Sequence, residues 1–190
     1  MNRIDITQPF YCLQDTLYGP VAVIWTANPD QPKIRRILLS RPDISARQSV
    51  KELFPDAISS VCAGINVIIG RIAAFLAGED VRFSLDSAGL DLCSGFQQKV
   101  LRAEHAISRG RVSTYSRIAA HIGHANAARA VGTALAHNPF PIIIPCHRAV
   151  RADGTPGGYQ GGSEMKRALL AMEGVRFNAQ GRIVTKEFFY

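Results

Sequence analysis

Apolar positions change their period partway along the chain. Up to about residue 40 they fall in short β-rich runs, Tyr11–Leu13, Val21–Thr26 and Ile34–Leu39. Turn residues separate them, Tyr18-Gly19-Pro20 first and then Asn28-Pro29-Asp30 with Pro32, so three strands are predicted. From Ile65 the spacing becomes helical: Ile65, Ile68, Ile69, Ile72, Phe75 and Leu76 form one stripe that stops at Gly78. That stripe is core. A short strand over Val81–Leu85 is expected to close this unit, and Asp86-Ser87-Ala88-Gly89 reads as a linker.

The second half reads as helical. Ser94 can cap a helix running through Phe96, Val100, Leu101 and Ile107, with Gly110 as the stop. Thr114 precedes a short helix, Tyr115 to Ile122, ended by Gly123, and another follows from about Asn126 to Ala136. Two short helices about a glycine turn form the helix-turn-helix pattern. The second helix, Ala127 to Ala136, carries one arginine, Arg129, among alanines and Gly132. Base-edge readout needs a row of Asn, Gln, Arg or Glu side chains. This composition fits close, sequence-independent contact with DNA, and equally a helix packed tightly on its neighbour. A last helix is expected over Glu164–Met172, with Met165, Leu169 and Met172 on its apolar side and Gly174 after it.

At 190 residues and 47% hydrophobic, the chain can bury a substantial core in one large domain or two small ones. The composition divides it at residues 1–90 and 91–190. Cys12, Cys62, Cys93 and Cys146 are scattered and form no C-x-x-C pair, which excludes a disulfide scaffold and argues against a thiolate zinc site. The start, MNRIDITQPFYC, has no apolar stretch of signal-peptide type. The most hydrophobic window, Val61 to Gly78, contains Asn66 and Arg71, unlike a membrane span. A soluble, cytoplasmic protein is expected. The net charge of +7 is lopsided. Residues 1–90 balance nine basic against nine acidic side chains, whereas residues 91–190 hold thirteen against six. Between Lys99 and Arg151 the single acid is Glu104. A polyanion partner accounts for this, as does a solvated basic surface.

The densest chemical signal is Asn138-Pro139-Phe140-Pro141-Ile142-Ile143-Ile144-Pro145-Cys146-His147-Arg148. Its prolines keep the backbone extended, and the apolar run delivers Cys146 to a fixed place. His147 and Arg148 offer a base and a positive charge that favour the thiolate, so Cys146 is a candidate nucleophile. The alternative is an inert buried cysteine. Downstream, Gly154, Gly157-Gly158 and Gly161-Gly162 bracket Tyr159, glycines suited to tight turns and close backbone approach to a ligand, with neither phosphate-loop motif present. Glu173 sits at a helix C-terminus, where a carboxylate is disfavoured. A partner such as His147 would hold it there, unless it is simply a surface glutamate.

Ile144-Pro145-Cys146-His147-Arg148, preceded by Asn138-Pro139 and followed by Gly158-Tyr159, Gly161-Gly162 and Glu173-Gly174, resembles the O6-alkylguanine-DNA alkyltransferases, also called methylated-DNA–protein-cysteine methyltransferases. The likeness extends through Tyr115 and Ala128-Arg129-Ala130-Val131-Gly132 and covers residues 92–175 strongly. It reaches residues 1–90 weakly, through Thr16 and Gly19.

The resemblance implies an α/β N-terminal domain of ribonuclease-H-like type and a mostly α C-terminal domain with a helix-turn-helix. It implies irreversible transfer of an alkyl group from O6-alkylguanine, with O4-alkylthymine as a further substrate, to Cys146 after base flipping. His147 would take the thiol proton through a water, Glu173 would orient His147, and Asn138 would brace the turn. Tyr115 would crowd the adjacent phosphate and donate to the departing guanine, while Arg129 would replace the extruded base. Thr114, Ala128, Ala130 and Gly132 would lie against the DNA. Tyr159, Ala149, Gln160 and Arg148 would form the substrate pocket. The implied partner is double-stranded DNA, bound through the minor groove without sequence preference by a monomer. No cofactor and no metal are expected. Departures from the family pattern are Ser108-Arg109-Gly110, where a proline is usual, Ser163 in place of an apolar residue, and Gln160, which puts the pocket's width in question. The rival functions are a non-enzymatic alkylated-DNA damage-recognition protein, which would lack the cysteine; a transcription factor, against which the poor base-reading face argues; and a cysteine hydrolase, for which no distant triad is evident.

Overall fold

The structure is a computed structural model that describes residues 8–27 and 32–190. The turn expected at Asn28-Pro29-Asp30 and the first seven residues lie outside the described residues. The chain forms two compact units, Met1–Leu92 with Pro139–Ile143, and Cys93–Asn138 with Ile144–Tyr190.

The first unit is built on a four-stranded mixed sheet. β1 (Pro9–Gln14) and β3 (Lys33–Leu39) both pair antiparallel with β2 (Val21–Thr26), and the short β4 (Ile58–Ser59) runs parallel to β1, in the order β3-β2-β1-β4. β2 is buried along its whole length, which is why it reads as unbroken apolar sequence rather than an alternation. Helix α1 (Ala46–Leu53) packs on β2 and β3, placing Ala46 and Val50 against Ala22, Ile24 and Leu38. Ser45 caps it by accepting from the Gln48 N–H. Helix α2 (Ala63–Leu76) packs on β1, and the predicted stripe is its buried side, with Ile68 at the margin.

Two expectations for this unit are corrected. Residues Val81–Leu85 form no strand. They run as an extended strap with Phe83 edge-on to Phe75 and the Arg71 guanidinium on the Arg82 carbonyl, so side chains rather than a ladder hold them. The stretch expected as a linker is tied to the start of β3: Ile34 donates to Ser87 O at 2.8 Å and Gly89 to Ile34 O at 2.9 Å. Helix α1 was not apparent in the sequence because its face offers little apolar periodicity beyond Ala46 and Val50.

The second unit contains α3 (Gly95–Ala106), α4 (Tyr115–His121), α5 (Ala128–Ala136) and α6 (Ser163–Met172). Ser94 caps α3 and Thr114 caps α4, each accepting a backbone N–H three residues on. Helices α3, α4 and α5 pack against one another. Two small ladders join them. β5 (Ser113–Thr114) pairs parallel with β6 (Ala149–Val150), and β7 (Arg176–Phe177) pairs antiparallel with β8 (Ile183–Val184). Val112, Val150, Leu170, Val175 and Ile183 form a core beside them. The last residues are held down as well: Tyr190 stacks on His121 with ring centres 3.7 Å apart and donates its hydroxyl to Ala103 O at 2.7 Å.

Phe75 is 1% exposed. Its replacement by alanine is expected to cost about 3–5 kcal/mol, as lost burial plus an uncollapsed cavity. Urea denaturation of Phe75→Ala against the parent protein checks this.

Candidate active site

The segment that presents the cysteine is tightly specified. After α5 the chain passes Asn138, three prolines and the fully buried Phe140. Ile142 takes φ +74°, a left-handed conformation that a β-branched residue rarely adopts and that costs free energy wherever it occurs. Asn138 is buried and donates from Nδ2 to the Ile144 carbonyl at 3.0 Å, and its side chain also hydrogen-bonds the Cys146 sulfur. Cys146–Arg148 then forms a single 3-10 turn, closed by Arg148 N–H to Pro145 O at 2.8 Å. The chain continues directly into β6. Because β6 pairs with β5, and β5 runs straight into α4, Tyr115 at the head of that helix is brought to the cysteine.

Glu173 holds this turn from behind. Arg148 reaches it with two hydrogen bonds, Nε to Oε2 at 2.9 Å and Nη2 to Oε1 at 2.7 Å, the planar fork geometry that guanidinium and carboxylate share. His147 Nε2 lies 3.0 Å from Oε1, and the Gly110 N–H donates to Oε2 at 3.3 Å. Gly110 has φ +75°, and a Cβ there would lie 2.9 Å from the Glu173 carbonyl oxygen, so only glycine fits. Burial alone would raise the Glu173 pKa, but the hydrogen bonds and charges of His147 and Arg148 outweigh it and pull the carboxyl down to about 2. Burial keeps the His147 imidazole neutral against the pull of Glu173. An ionised Glu173 only accepts, so it selects the Nε2–H tautomer and leaves Nδ1 as the basic nitrogen.

In front of the turn is a cleft of about 230 Å³ lined by Tyr115, Gly132, Leu135, Ala136, Cys146, Gly158, Tyr159 and Gln160. It is smaller than the roughly 300–1,000 Å³ of ordinary small-molecule pockets, which suits one flat ring system. Gly157 has φ +77°, and a Cβ there would sit 2.9 Å from the Tyr115 hydroxyl, so this glycine leaves the phenol its place. Burial lifts Tyr115 to about 12 and Tyr159 well above its ordinary value, so both remain proton donors. Burial also pushes the Cys146 thiol up to about 11; the Asn138 hydrogen bond and Lys166 pull it down, and Glu104 pushes it further up. Here the structure corrects the sequence-based expectation of a charge-activated thiolate. The Arg148 charge is spent on Glu173, and the thiolate of the buried Cys146 would be poorly solvated.

A family model described as 6-O-methylguanine DNA methyltransferase, DNA binding domain, matches residues 95–175. The methylated-DNA–protein-cysteine methyltransferase of Methanothermobacter thermautotrophicus is 43% identical over 122 residues, 64% of this chain and 68% of that protein. The chain belongs to the methylated-DNA–protein-cysteine methyltransferase family. Among solved structures, the O6-methylguanine methyltransferase of Mycobacterium tuberculosis aligns with TM-score 0.71 and 30% identity over 90% of this chain and 96% of that one. A crystal structure of the Mycobacterium tuberculosis protein in complex with DNA aligns with TM-score 0.68 and 31% identity, covering 87% and 93%. The matched stretch spans 62% of the length of the mycobacterial sequence relatives.

Of the site residues expected for this methyltransferase-family chain, Cys146, Tyr115, Gly132, Tyr159 and Gln160 meet in the cleft. His147, Glu173 and Asn138 stand directly behind the cysteine. Arg129 and Ala130 are exposed on α5, Ala128 is half-buried at its start, and Thr114 is buried as the cap of α4. Arg148 and Ala149 fall outside the cleft lining. Arg148 turns to Glu173 and the Ile107 carbonyl, and Ala149 is fully buried with its carbonyl taken by Lys166. Leu135, Ala136 and Gly158 line the cleft instead. Nothing in sequence spacing marks Leu135 and Ala136, because only the crossing of α5 over the cysteine turn brings them there.

Glu173 titrates lower in the folded chain than in the unfolded one, so it adds stability above its ordinary pKa and loses it as pH falls from about 4.5 towards 2. That contribution is roughly 3 kcal/mol. Glu173→Gln should lack this acid-side fall and be about 3–5 kcal/mol less stable at neutral pH, since it leaves Arg148 buried without its partner. Denaturation midpoints from pH 7 downwards read both effects.

Proposed function

We propose that this chain repairs alkylated DNA by direct reversal, taking the alkyl group from O6 of guanine onto Cys146 and acting once per molecule. The observation that carries this is a cysteine opening onto a base-sized cleft with a buried His147–Glu173 pair behind it.

Cys146 Sγ attacks the alkyl carbon, the C–O6 bond breaks, and its electron pair stays with the guanine. The thiol proton passes to His147 Nδ1 through a water and ends on the guanine, so the atoms balance without a cofactor. With the thiol near 11 and the imidazole below its usual 6.5, that transfer is uphill in the free protein. Thiolate therefore forms only in the occupied cleft, where Tyr115 donates to a ring nitrogen as negative charge builds on the leaving base. Asn138 keeps the sulfur in place.

The alkyl group is out of reach inside a base stack, so the nucleotide is extruded. Helices α4 and α5 serve as a helix-turn-helix entering the minor groove. Ala128, Ala130 and Gly132 let the α5 backbone come close, and the exposed Arg129 fills the vacated place in the stack. Tyr115 crowds the neighbouring phosphate and Thr114 holds the head of α4. The basic excess of residues 91–190 supplies sequence-independent phosphate attraction. The first unit is ribonuclease-H-like in this scheme, and the protein works as a cytoplasmic monomer.

Incubation with a duplex carrying one O6-methylguanine should add one methyl group to the intact protein mass, and Cys146→Ala should gain none. Tight lesion binding without mass gain would make the chain a damage-recognition protein instead. Arg129→Ala should slow transfer from duplex by about ten- to a hundredfold, the cost of a few kcal/mol of unsupported extrusion, while leaving transfer from single strands nearly unchanged. Single-turnover rates on the two substrates decide this.

A further inference from the structure

Glu104 stands out on α3. The inward face of that helix is otherwise Val100, Leu101 and Ala103, and Glu104 lies among them with no exposed surface. Neither carboxyl oxygen meets a donor in hydrogen-bond geometry, a condition folded proteins rarely impose on a carboxylate. The groups it interacts with electrostatically belong to the active site and its supports. They are Cys146 and Arg148 in the 3-10 turn, the Ala149 N–H of β6, Tyr115 of α4, Lys166 of α6, and Tyr190 at the end of the chain. Helix α5, also packed on α3, carries Arg129 and His137, both exposed.

Lys166 is equally buried but well satisfied. Its Nζ donates to Ala149 O at 2.7 Å and Gly158 O at 3.2 Å, tying the strand after the cysteine to the loop that lines the cleft. Among the described residues no ion pair joins it to Glu104.

We propose that Glu104 is a positioning residue for alkyl transfer: as a neutral buried acid it leaves the Lys166 ammonium as the unopposed charge behind Cys146, and its ionisation holds the thiol back. The proposal rests on Cys146 being the alkyl acceptor. Burial raises the Glu104 carboxyl to about 8 in spite of Lys166, Arg148 and the Ala149 N–H, and burial lowers the Lys166 ammonium to about 8. At neutral pH the acid is uncharged and the lysine charged. As pH rises through that region Glu104 gains a negative charge and Lys166 loses its positive one. Arg148 does not compensate, being paired with Glu173. Both changes disfavour the thiolate, so transfer stops gaining from added base.

The test is the single-turnover rate of methyl transfer from an O6-methylguanine duplex between about pH 6 and 9.5, for the parent protein and Glu104→Gln. Alkylation of Cys146 by iodoacetamide without DNA is followed alongside. The parent should flatten above about pH 8, and Glu104→Gln, which keeps only the Lys166 step, should flatten less and reach about tenfold faster transfer at the alkaline end, one pKa unit on the thiol, with unchanged duplex affinity. A purely packing role would change stability without moving this inflection. An identical inflection in Glu104→Gln overturns the proposal. If the variant does not fold, the 13C carboxyl shift of Glu104 in the parent decides: a midpoint near 8 supports the proposal, and one in the ordinary carboxylate range overturns it. Absence of methyl transfer by the parent would defeat the assignment of Cys146 as acceptor, and the carboxyl and iodoacetamide titrations would still judge Glu104.

Discussion

Four groups converge on the Glu173 carboxylate: the imidazole of His147, both arms of Arg148 and the backbone of Gly110. Glu173 also caps the C-terminus of α6, so one buried anion ties together the end of that helix, the cysteine turn and the loop before β5. A carboxylate there works against the helix dipole, and burial works against it again. Hydrogen bonds from three residues, His147, Arg148 and Gly110, offset both. With the turn pinned, His147 has one tautomer, β6 has its register beside β5, and Tyr115 arrives opposite the sulfur. Removing this anion leaves an unpaired guanidinium in the interior and frees the imidazole, so stability and catalytic geometry share one origin.

The same burial that fixes the turn suppresses ionisation of the Cys146 thiol. A thiol pushed up to about 11 is almost wholly protonated at neutral pH. Under the proposed single-use reaction this is useful, because a thiol that stays protonated in the empty cleft is not lost to unrelated electrophiles. The side chains around it divide the work. Asn138 and Lys166 favour the anion, Glu104 opposes it, and Tyr115 and Tyr159 keep their protons. The acidity of the thiol therefore reflects its burial first and the groups around it second.

Much of the fold was legible where the local signal and the burial agree. β2 reads as a strand and is one, with the same ends, and the Ile65–Leu76 stripe is the buried side of α2. Ser94 caps the helix it was expected to cap, and Thr114, expected to precede a short helix, caps that one. The failures have physical causes. Val81–Leu85 has strand composition but forms no ladder among the described residues, and Phe83 anchors it through its ring. Helix α1 shows too few apolar positions to declare itself. The two-residue ladders β5–β6 and β7–β8 are too short to carry a period.

The sequence by itself determined the chemistry on offer: Cys146 in its Pro-Cys-His-Arg setting, a distant glutamate beside a helix-ending glycine, a tyrosine at a helix start and a lone arginine among alanines. Those are statements about residue type and local spacing, which short-range physics constrains. Only the tertiary structure decided how they are used. Arg148, adjacent to the cysteine in sequence, is committed to Glu173, while Leu135 and Ala136 from α5 reach the cleft in its stead. Glu104 looked like a single acid in a basic stretch, and became a buried neighbour of the nucleophile. Burial and charge pairing are sums over residues far apart in the chain, so no local pattern could have carried them.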